Sequence, residues 1–347
     1  MKPVISIQYL RGLAAFLVLL QHVSYKDKVY SGGEFNLFDI GHMGVDIFFI
    51  ISGFIMAYTF RPELGAVRFL YNRVLRIIPL YWLTSVIALI GYLYVPGLIN
   101  GSKEPDILSS FFLLPSERRY LNPNGWTLSC EFLFYLVFSF SFLSAYRFRF
   151  VLPSIILACL AFIGLSHEFE EVIPRFIFSP MLVEFLFGMI IFQIYSRYSI
   201  DQSLNLVLLL ASALLVLFSL FIYFSGVRIG LRIIDLGLPA FFICIFIVSL
   251  ESRLKTNVSG ILKSLGDSSY SLYLTHAFTI GVAGFLLSYF GLVGSSLFFS
   301  GTLILVSIIS GYFCYRYVEV PMSAVIKTKL DSMIADINSH SVLWLKK

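Results

Sequence analysis

Apolar runs of about twenty residues recur along the whole chain, separated by mostly short polar connections. A run of this length crosses the roughly 30 Å hydrocarbon core of a bilayer as an α-helix. We therefore predict an all-α polytopic membrane protein, with about ten transmembrane helices around a central polar cavity. A membrane domain over residues 1–321 is followed by a short tail at 322–347. The predicted spans cover residues 7–25, 44–60, 78–96, 128–145, 151–166, 179–196, 204–224, 233–250, 270–290 and 295–317.

The composition agrees with this pattern. Of the 347 residues, 58% are hydrophobic and only 13% are charged, and the mean hydropathy is +0.87. Soluble domains are about 25% charged, so we expect no sizeable soluble domain. The net charge of +5 comes from basic residues in short connections rather than on one surface, which argues against a nucleic-acid partner.

Lysine and arginine are distributed unequally between alternate connections. The connections on the side of the two termini hold about twice as many basic residues as those on the other side. Basic connections stay in the cytoplasm, so both termini are predicted to be cytoplasmic, as an even number of spans requires. The first run is predicted to be a retained span, because Arg11 interrupts it and no small-x-small cleavage site follows.

Two polar residues, Arg11 and His22, lie within the first predicted span. They are eleven residues apart, which is about three helical turns, so both side chains lie on one face about 16 Å apart along the axis. A charge inside a membrane normally faces protein or a wet cavity, which would place both residues in a site. The alternative is an arginine and a histidine that reach the two membrane surfaces.

The second predicted span carries an acid and a serine within GHMGVDIFFIISGF. A carboxylate at Asp46 is costly unless it meets a cation or a donor, so we predict that it pairs with Arg11 or orients His22. Two roles stay open for Ser52, which precedes Gly53: a polar group of the site, or a small residue that lets two helices approach closely.

A cluster of arginines precedes the third predicted span, in RFLYNRVLRIIPLYW. Arg73 and Arg76 are three residues apart and therefore share a helical face, with Arg68 about one turn earlier. Guanidinium groups bind phosphate oxygens bidentately, so the cluster could hold a phosphorylated co-substrate. The alternative is the ordinary excess of arginine in cytoplasmic connections. Pro79 is expected to break or bend the chain at the membrane surface, where Tyr81 suits the interfacial belt.

The fourth predicted span opens with the turn signal NPNG, and Trp126 follows at the membrane surface. Glu131 and Tyr135 are four residues apart and so share a helical face. A carboxylate in surroundings this apolar needs a partner, and we therefore predict a functional or hydrogen-bonding role for Glu131.

The later spans carry weaker candidates. His276 lies in the first turns of the ninth span, where a structural histidine is the alternative to a site residue. Glu319 is predicted to pair with Arg316 at the cytoplasmic edge, and Glu184 and Asp235 are further buried acids. The cysteines are predicted to be small core residues, neither disulfides nor metal ligands: Cys130, Cys159, Cys244 and Cys314.

Six segments follow one another between about residues 5 and 321. They are Arg11-x10-His22 within LRGLAA and HVSY, then GHMGVDIFFIISGF, RVLRIIPLYW, NGWTLSCEFLFY, SYSLYLTH and YVEVP. In this order, and on about ten predicted spans, they resemble the acyltransferase type 3 family of integral membrane proteins. Members of that family acylate extracytoplasmic glycans such as O-antigen, capsule, exopolysaccharide and peptidoglycan, and some modify antibiotics or signalling oligosaccharides.

The resemblance implies a catalytic centre at His22 and Arg11, to which we add Asp46 and Glu131. It also implies contacts with acyl-CoA, for which the candidates are Arg68, Arg73, Arg76, Tyr81, Trp126 and Tyr135. Further candidates for the site are Ser52, His276 and Glu319.

The activity implied is transfer of an acyl group, acetyl above all, from acyl-CoA to a hydroxyl of a cell-surface or undecaprenyl-linked glycan. His22 would act as the general base, because an imidazole with a pKa of about 6.5 can accept a proton near neutral pH. Acetyl-CoA is then a co-substrate, and no metal or redox cofactor is implied. The expected location is the bacterial inner membrane. The sugar, the choice between direct transfer and an acyl-enzyme, and homo-oligomer formation stay open.

Two other classes of function fit the same residues. A transporter or flippase for an anionic or lipid-linked sugar would use the arginines as a phosphate pathway, and it would move its substrate without chemical change. A structural subunit would use its buried charges only to pair with one another, and it would tolerate an exchange of an arginine with its acid.

Overall fold

Each of the ten predicted apolar runs forms a helix in the computed structural model, which describes residues 3–32, 41–94, 104–198, 202–226, 230–254 and 260–328. The prediction of an all-helical chain is confirmed: within these ranges the only strand-like pairing is a single bridge between Pro105 and Arg119. Most of the predicted tail, from residue 329 onward, lies outside the described residues.

Thirteen α-helices of the described residues are numbered here in chain order. They are α1 (Ile5–Tyr30), α2 (Met43–Tyr58), α3 (Gly65–Tyr94), α4 (Ile107–Phe112), α5 (Gly125–Ser139), α6 (Val151–Ser166), α7 (Val172–Ile177), α8 (Leu182–Tyr198), α9 (Gln202–Phe224), α10 (Leu238–Ser249), α11 (Gly260–Asp267), α12 (Ser269–Tyr289) and α13 (Ser296–Cys314). A π-helical turn precedes α10 at Ile233–Gly237, and another follows α13 at Tyr315–Glu319.

Five helical segments among the described residues are long and apolar enough to cross a membrane. They are Pro62–Tyr94, Gly125–Leu143, Val172–Arg197, Ser269–Tyr289 and Ser296–Thr328, and four shorter apolar helices accompany them at Met43–Tyr58, Val151–Ser166, Leu206–Ile222 and Ile233–Ser249. This set of apolar helices is that of a membrane protein.

The third predicted span begins much earlier than its apolar run. Helix α3 starts at Gly65 rather than at residue 78, and it continues through Pro79 without ending. Of the two expected effects of Pro79, a break or a bend, the break is therefore wrong. The first turns of α3 carry arginines, and these lower the mean hydropathy so that the apolar run begins only later. The arginines are half-buried or exposed, so a helix can carry them without apolar surroundings. The arginine cluster is thus part of a continuous helix.

Side-chain contacts identify the two ends of the helix bundle. We call the end that holds the start of α1 the near end, and the end that holds the last turns of α1 the far end. At the near end, the backbone N–H groups of Ile5 and Ser6 donate to the Glu251 carboxylate, at 3.0 and 2.7 Å. At the far end, Ser296 Oγ donates to the buried carboxylate of Asp27 at 2.7 Å. The start of α1 and the end of α10 therefore lie together, and the end of α1 meets the start of α13 at the opposite end.

The connection before α5 is attached to the middle of α3. Tyr81 donates from its hydroxyl to the Ser110 carbonyl oxygen at 2.6 Å, and Trp82 donates from Nε1 to the Phe111 carbonyl oxygen at 2.8 Å. Asp106 caps α4 by accepting from the Ser109 backbone N–H. That bond, with those from the Ser116 and Ser109 hydroxyls, holds the pKa of Asp106 below its ordinary value.

Helices α2 and α8 cross at two glycines. A Cβ on Gly53 would lie 2.0 Å from the Phe185 carbonyl oxygen, and a Cβ on Gly188 would lie 1.9 Å from the Ile50 carbonyl oxygen. Only hydrogen side chains allow this approach. Beside the crossing, the Phe185 ring stacks on Phe134 of α5 with centroids 4.3 Å apart. The packing brings α2, α5 and α8 together at the wall of the cavity described next.

Candidate active site

A cavity of about 120 Å³ lies between α1, α2, α3, α5 and α12. Such a volume is well below the ~300–1,000 Å³ of pockets that enclose drug-sized ligands. Aromatic and aliphatic side chains form much of its wall. Its charged and hydrogen-bonding lining includes six of the residues predicted from the sequence: Arg11, Ser52, Arg73, Arg76, Glu131 and Tyr135.

Three arginines reach the cavity from two helices. Arg73 and Arg76 share a face of α3, as their spacing predicts, and Arg11 arrives from α1. The Arg73 guanidinium lies 5.6 Å from the centre of the Phe69 ring, and its Nε is buried without a hydrogen-bond partner. Glu131 is the one carboxylate among the described lining residues. The excess of positive charge suits an anionic ligand.

Glu131 is held in place by two hydroxyl groups. Ser52 Oγ donates to Glu131 Oε1 at 2.7 Å, and the Tyr135 hydroxyl donates to the same oxygen. This network joins α2 to α5 across the cavity. It supports the polar role considered for Ser52, while the neighbouring Gly53 supplies the close packing.

The turn before α5 anchors that helix to α12. Asn122 Nδ2 donates to the Leu274 carbonyl oxygen at 3.2 Å and to Thr84 Oγ1 at 3.1 Å. Asn124 Nδ2 donates to the Tyr273 carbonyl oxygen at 2.5 Å. The sequence indicated only a turn here; the amide groups also fix the orientation of α5 and hence of Glu131.

His22 faces His276 across the interface of α1 and α12. The two rings meet edge to face with centroids 4.8 Å apart. In each residue Nδ1 is hydrogen-bonded to the carbonyl oxygen four residues earlier, Val18 at 2.9 Å and Leu272 at 3.0 Å. A carbonyl oxygen only accepts, so both Nδ1 atoms carry the proton and both Nε2 atoms present a lone pair. His276 Nε2 is buried without a partner.

His22 is not among the residues that line the cavity. Aromatic rings lie between His22 and the cavity. Tyr273 lines the cavity, and the centre of its ring lies 6.0 Å from that of His276, the residue that contacts His22. Arg11 and His22 therefore both face the interior of the bundle, but only the arginine reaches the cavity itself.

Asp46 pairs with a cation that was not predicted. Arg232 donates from a terminal nitrogen to Asp46 Oδ2 at 2.9 Å, so the expectation that Asp46 pairs with Arg11 is wrong. Glu184 lies close to this pair, and neither of its buried carboxylate oxygens has a hydrogen-bond partner among the described residues. From the sequence alone, Arg232 is one of the basic residues of the connections between spans. Nothing near it in sequence indicates that it lies beside Glu184 and Asp46, two buried acids 48 and more residues away.

The remaining predicted residues lie elsewhere. Arg68 places its guanidinium 5.9 Å from the centre of the Tyr71 ring, Tyr81 donates to the Ser110 carbonyl oxygen from the middle of α3, and Trp126 lines a separate pocket. Glu319 accepts from Ser271 Oγ at 2.6 Å. The part of the chain that the structure describes contains no group of three or more His, Cys, Asp or Glu side chains placed to hold a metal ion.

Comparison with known proteins gives a consistent result. A family model described as "Acyltransferase domain" matches residues 4–327. Exopolysaccharide production protein ExoZ of Rhizobium meliloti (strain 1021) is 31% identical over 264 residues, which cover 71% of this chain and 78% of that protein. Acyltransferase MdmB of Streptomyces mycarofaciens is 32% identical over 145 residues, or 38% of each chain. No solved structure matches.

Proposed function

The chain belongs to the membrane acyltransferase family whose model spans residues 4–327, and from this membership we propose that it transfers an acyl group from acyl-CoA to a glycan hydroxyl. The acceptor is a cell-surface polysaccharide or its lipid-linked precursor. The name of the relative ExoZ, an exopolysaccharide production protein, supports a polysaccharide acceptor. We place the enzyme in a bacterial inner membrane with both termini in the cytoplasm.

The observation that carries the proposal is the cavity in which Arg11, Arg73 and Arg76 converge around Glu131. Acyl-CoA combines a strongly anionic nucleotide with a long arm that ends in a thioester. A cavity of about 120 Å³ is too small for the nucleotide but suits the narrow arm. The phosphates therefore bind at the exposed side of Arg76, and the arm extends inward.

His22 is the proposed general base. Its Nδ1–H is held by the Val18 carbonyl oxygen, so Nε2 is free to accept the proton of an acceptor hydroxyl. The oxygen attacks the thioester carbon, the carbon–sulfur bond breaks, and the proton returns from Nε2 to the departing thiolate. Arg11 lines the cavity through which the donor arm reaches this centre, and it holds that arm.

Other residues position this centre. The role of orienting the imidazole, which the sequence suggested for Asp46, fits the Val18 carbonyl oxygen and the ring of His276 better. Asp46 instead holds α2 against the turn that carries Arg232. Glu131, fixed by Ser52 and Tyr135, places a negative charge beside the arginines of the cavity and offsets their mutual repulsion.

The test compares membranes that contain the wild-type protein with membranes that contain R73Q/R76Q, supplied with labelled acetyl-CoA and the host glycan. Each lost charged hydrogen bond costs about 1.5–3 kcal/mol, so we expect the KM for acetyl-CoA to rise by more than about tenfold per arginine. The matched control is R61Q/R253Q, two exposed arginines of the near end that do not line the cavity.

Mass spectrometry of the glycan completes the experiment. The wild-type protein should add one acetyl mass per modified sugar, and a strain without the gene should lack it. A glycan that crosses the membrane unmodified, with no use of acetyl-CoA, would contradict the proposal and favour a transporter.

A further inference from the structure

A cleft larger than the cavity of the candidate active site opens at the near end of the bundle. It lies between the connection after α5, the start of α6 and the end of α8. It is an open cleft of about 780 Å³, and it shares no residue with the cavity that contains Glu131. Neither the family match nor the proposed reaction gives it a role.

The rim of this cleft is basic. Arg147, Arg149 and Arg197 line it, and none of its described lining residues is acidic. Arg147 and Arg197 are exposed and form no ion pair with a carboxylate of the described residues. Arg149 lies with its guanidinium 5.5 Å from the centre of the Phe60 ring and 4.8 Å from that of Phe150. Among the described residues, the cleft therefore presents the charges of Arg147 and Arg197 without a paired carboxylate.

The wall below the rim is apolar and faces outward. Ile155 of α6 is 54% exposed and Ile190 of α8 is 36% exposed, and both belong to apolar helices. On a membrane helix such side chains meet lipid tails. Ser154, Gln193 and Ser196 lie in the same lining and add hydrogen-bonding groups near the charges.

We propose that this cleft binds an anionic phospholipid, with the lipid phosphate between Arg147 and Arg197 and the acyl chains along Ile155 and Ile190. Basic pockets between membrane helices favour anionic headgroups because each basic residue near the surface contributes about 1 kcal/mol. A cleft of this volume also falls in the range of pockets that enclose a ligand. A soluble anion would use the basic rim but would leave the apolar wall uncovered.

The experiment titrates detergent-solubilised protein with phosphatidylglycerol or with phosphatidylcholine and measures bound lipid by native mass spectrometry. Wild type should retain phosphatidylglycerol in preference to phosphatidylcholine. R147Q/R197Q should bind phosphatidylglycerol roughly 30-fold more weakly, since two lost charges at about 1 kcal/mol each correspond to that factor. If the double variant does not purify as a folded protein, R197Q should show a loss of about fivefold.

The matched control is R118Q/R119Q, which removes two exposed arginines from a pocket that also contains Glu104 and Glu117. It should change phosphatidylglycerol binding by less than about threefold, because the neighbouring carboxylates already balance these charges. An equal loss in the control, or equal binding of the two lipids by wild type, would overturn the proposal. A second arm adds inorganic phosphate against chloride at matched ionic strength. Displacement of the lipid by phosphate alone would instead assign the cleft to a soluble anion.

Discussion

Arg232 is the cation that satisfies Asp46, a fully buried carboxylate of α2, and it lies close to Glu184 of α8. A buried carboxylate without a partner costs several kcal/mol. The arginine therefore joins α2 to the π-helical turn before α10. A substitution here acts on the whole bundle.

We predict that R232Q lowers the unfolding free energy of the protein in detergent by about 3 kcal/mol. This lies at the low end of the range for a broken buried ion pair, because the Arg232 side chain is still 35% exposed. Thermal or denaturant unfolding of the purified variant measures it.

The matched control is R175Q, which breaks the pair between Arg175 and Glu117 at the protein surface. Its side chains are 56% and 66% exposed, so the expected loss is about 1 kcal/mol or less. Equal losses of unfolding free energy in R232Q and R175Q would show that the pair between Asp46 and Arg232 stabilises the protein no more than a surface ion pair does.

Partners one helical turn apart were predictable from the sequence, because helix geometry fixes which side chains meet. Glu131 with Tyr135, and Arg73 with Arg76, are such pairs, and both reach the cavity. The partner of Asp46 is 186 residues away, and only the packing of separate helices brings it there. For the same reason the expected partner of Glu319 was Arg316, its sequence neighbour, whereas Ser271 of α12 donates to it.

The crossing of α2 and α8 shows how small residues set the distance between two elements. Gly53 and Gly188 each bring a backbone carbonyl of the other helix within about 2 Å of the position that a Cβ would take. Helix α2 also carries Ser52, which donates to Glu131, so the crossing helps to set the position of a polar group at the site.

We predict that G188A destabilises the protein by about 1–3 kcal/mol or more, because the added methyl meets backbone that cannot rotate away. The control is G301A in α13, where a Cβ would meet nothing within 4 Å. That variant should gain about 0.5–1 kcal/mol through lower flexibility of the unfolded chain. Thermal unfolding in detergent measures both, and a neutral G188A would contradict the observed crossing.

Element positions were predictable wherever the sequence was uniformly apolar. The boundaries of α6 and α9 differ from the predicted spans by at most two residues, whereas α3 begins thirteen residues before its predicted span. Hydropathy detects contact with lipid rather than helical backbone, and α3 carries Arg73 and Arg76 on turns that line the cavity. Because the site is built from such polar residues, a hydropathy profile does not reveal it.

For the whole molecule, a bundle that crosses a bilayer would have its two ends on opposite sides of the membrane. Glu168 follows α6 at the far end, and Arg253 follows α10 at the near end, and both side chains are exposed. If both termini are cytoplasmic, the far end faces the outside of the cell.

We therefore predict that E168C in whole cells reacts with a membrane-impermeant maleimide, whereas R253C reacts only after the cells are opened. The chain has four native cysteines, of which Cys159 is exposed, so the unsubstituted protein is the control for background labelling. The reverse pattern would invert the orientation and place the arginine cavity on the outside.

The central claim is that an imidazole on α1 accepts the proton of the acceptor hydroxyl. The most direct measurement is the rate of labelled acetyl transfer from acetyl-CoA to the glycan, in membranes with equal amounts of H22A or H42A. His42 is the matched control, since its ring is exposed and lies 3.4 Å from the Gln21 amide nitrogen. A general base contributes about 10²–10⁴-fold, so H22A should lose at least about 100-fold while H42A stays close to wild type. Transfer by H22A at the wild-type rate would contradict the account.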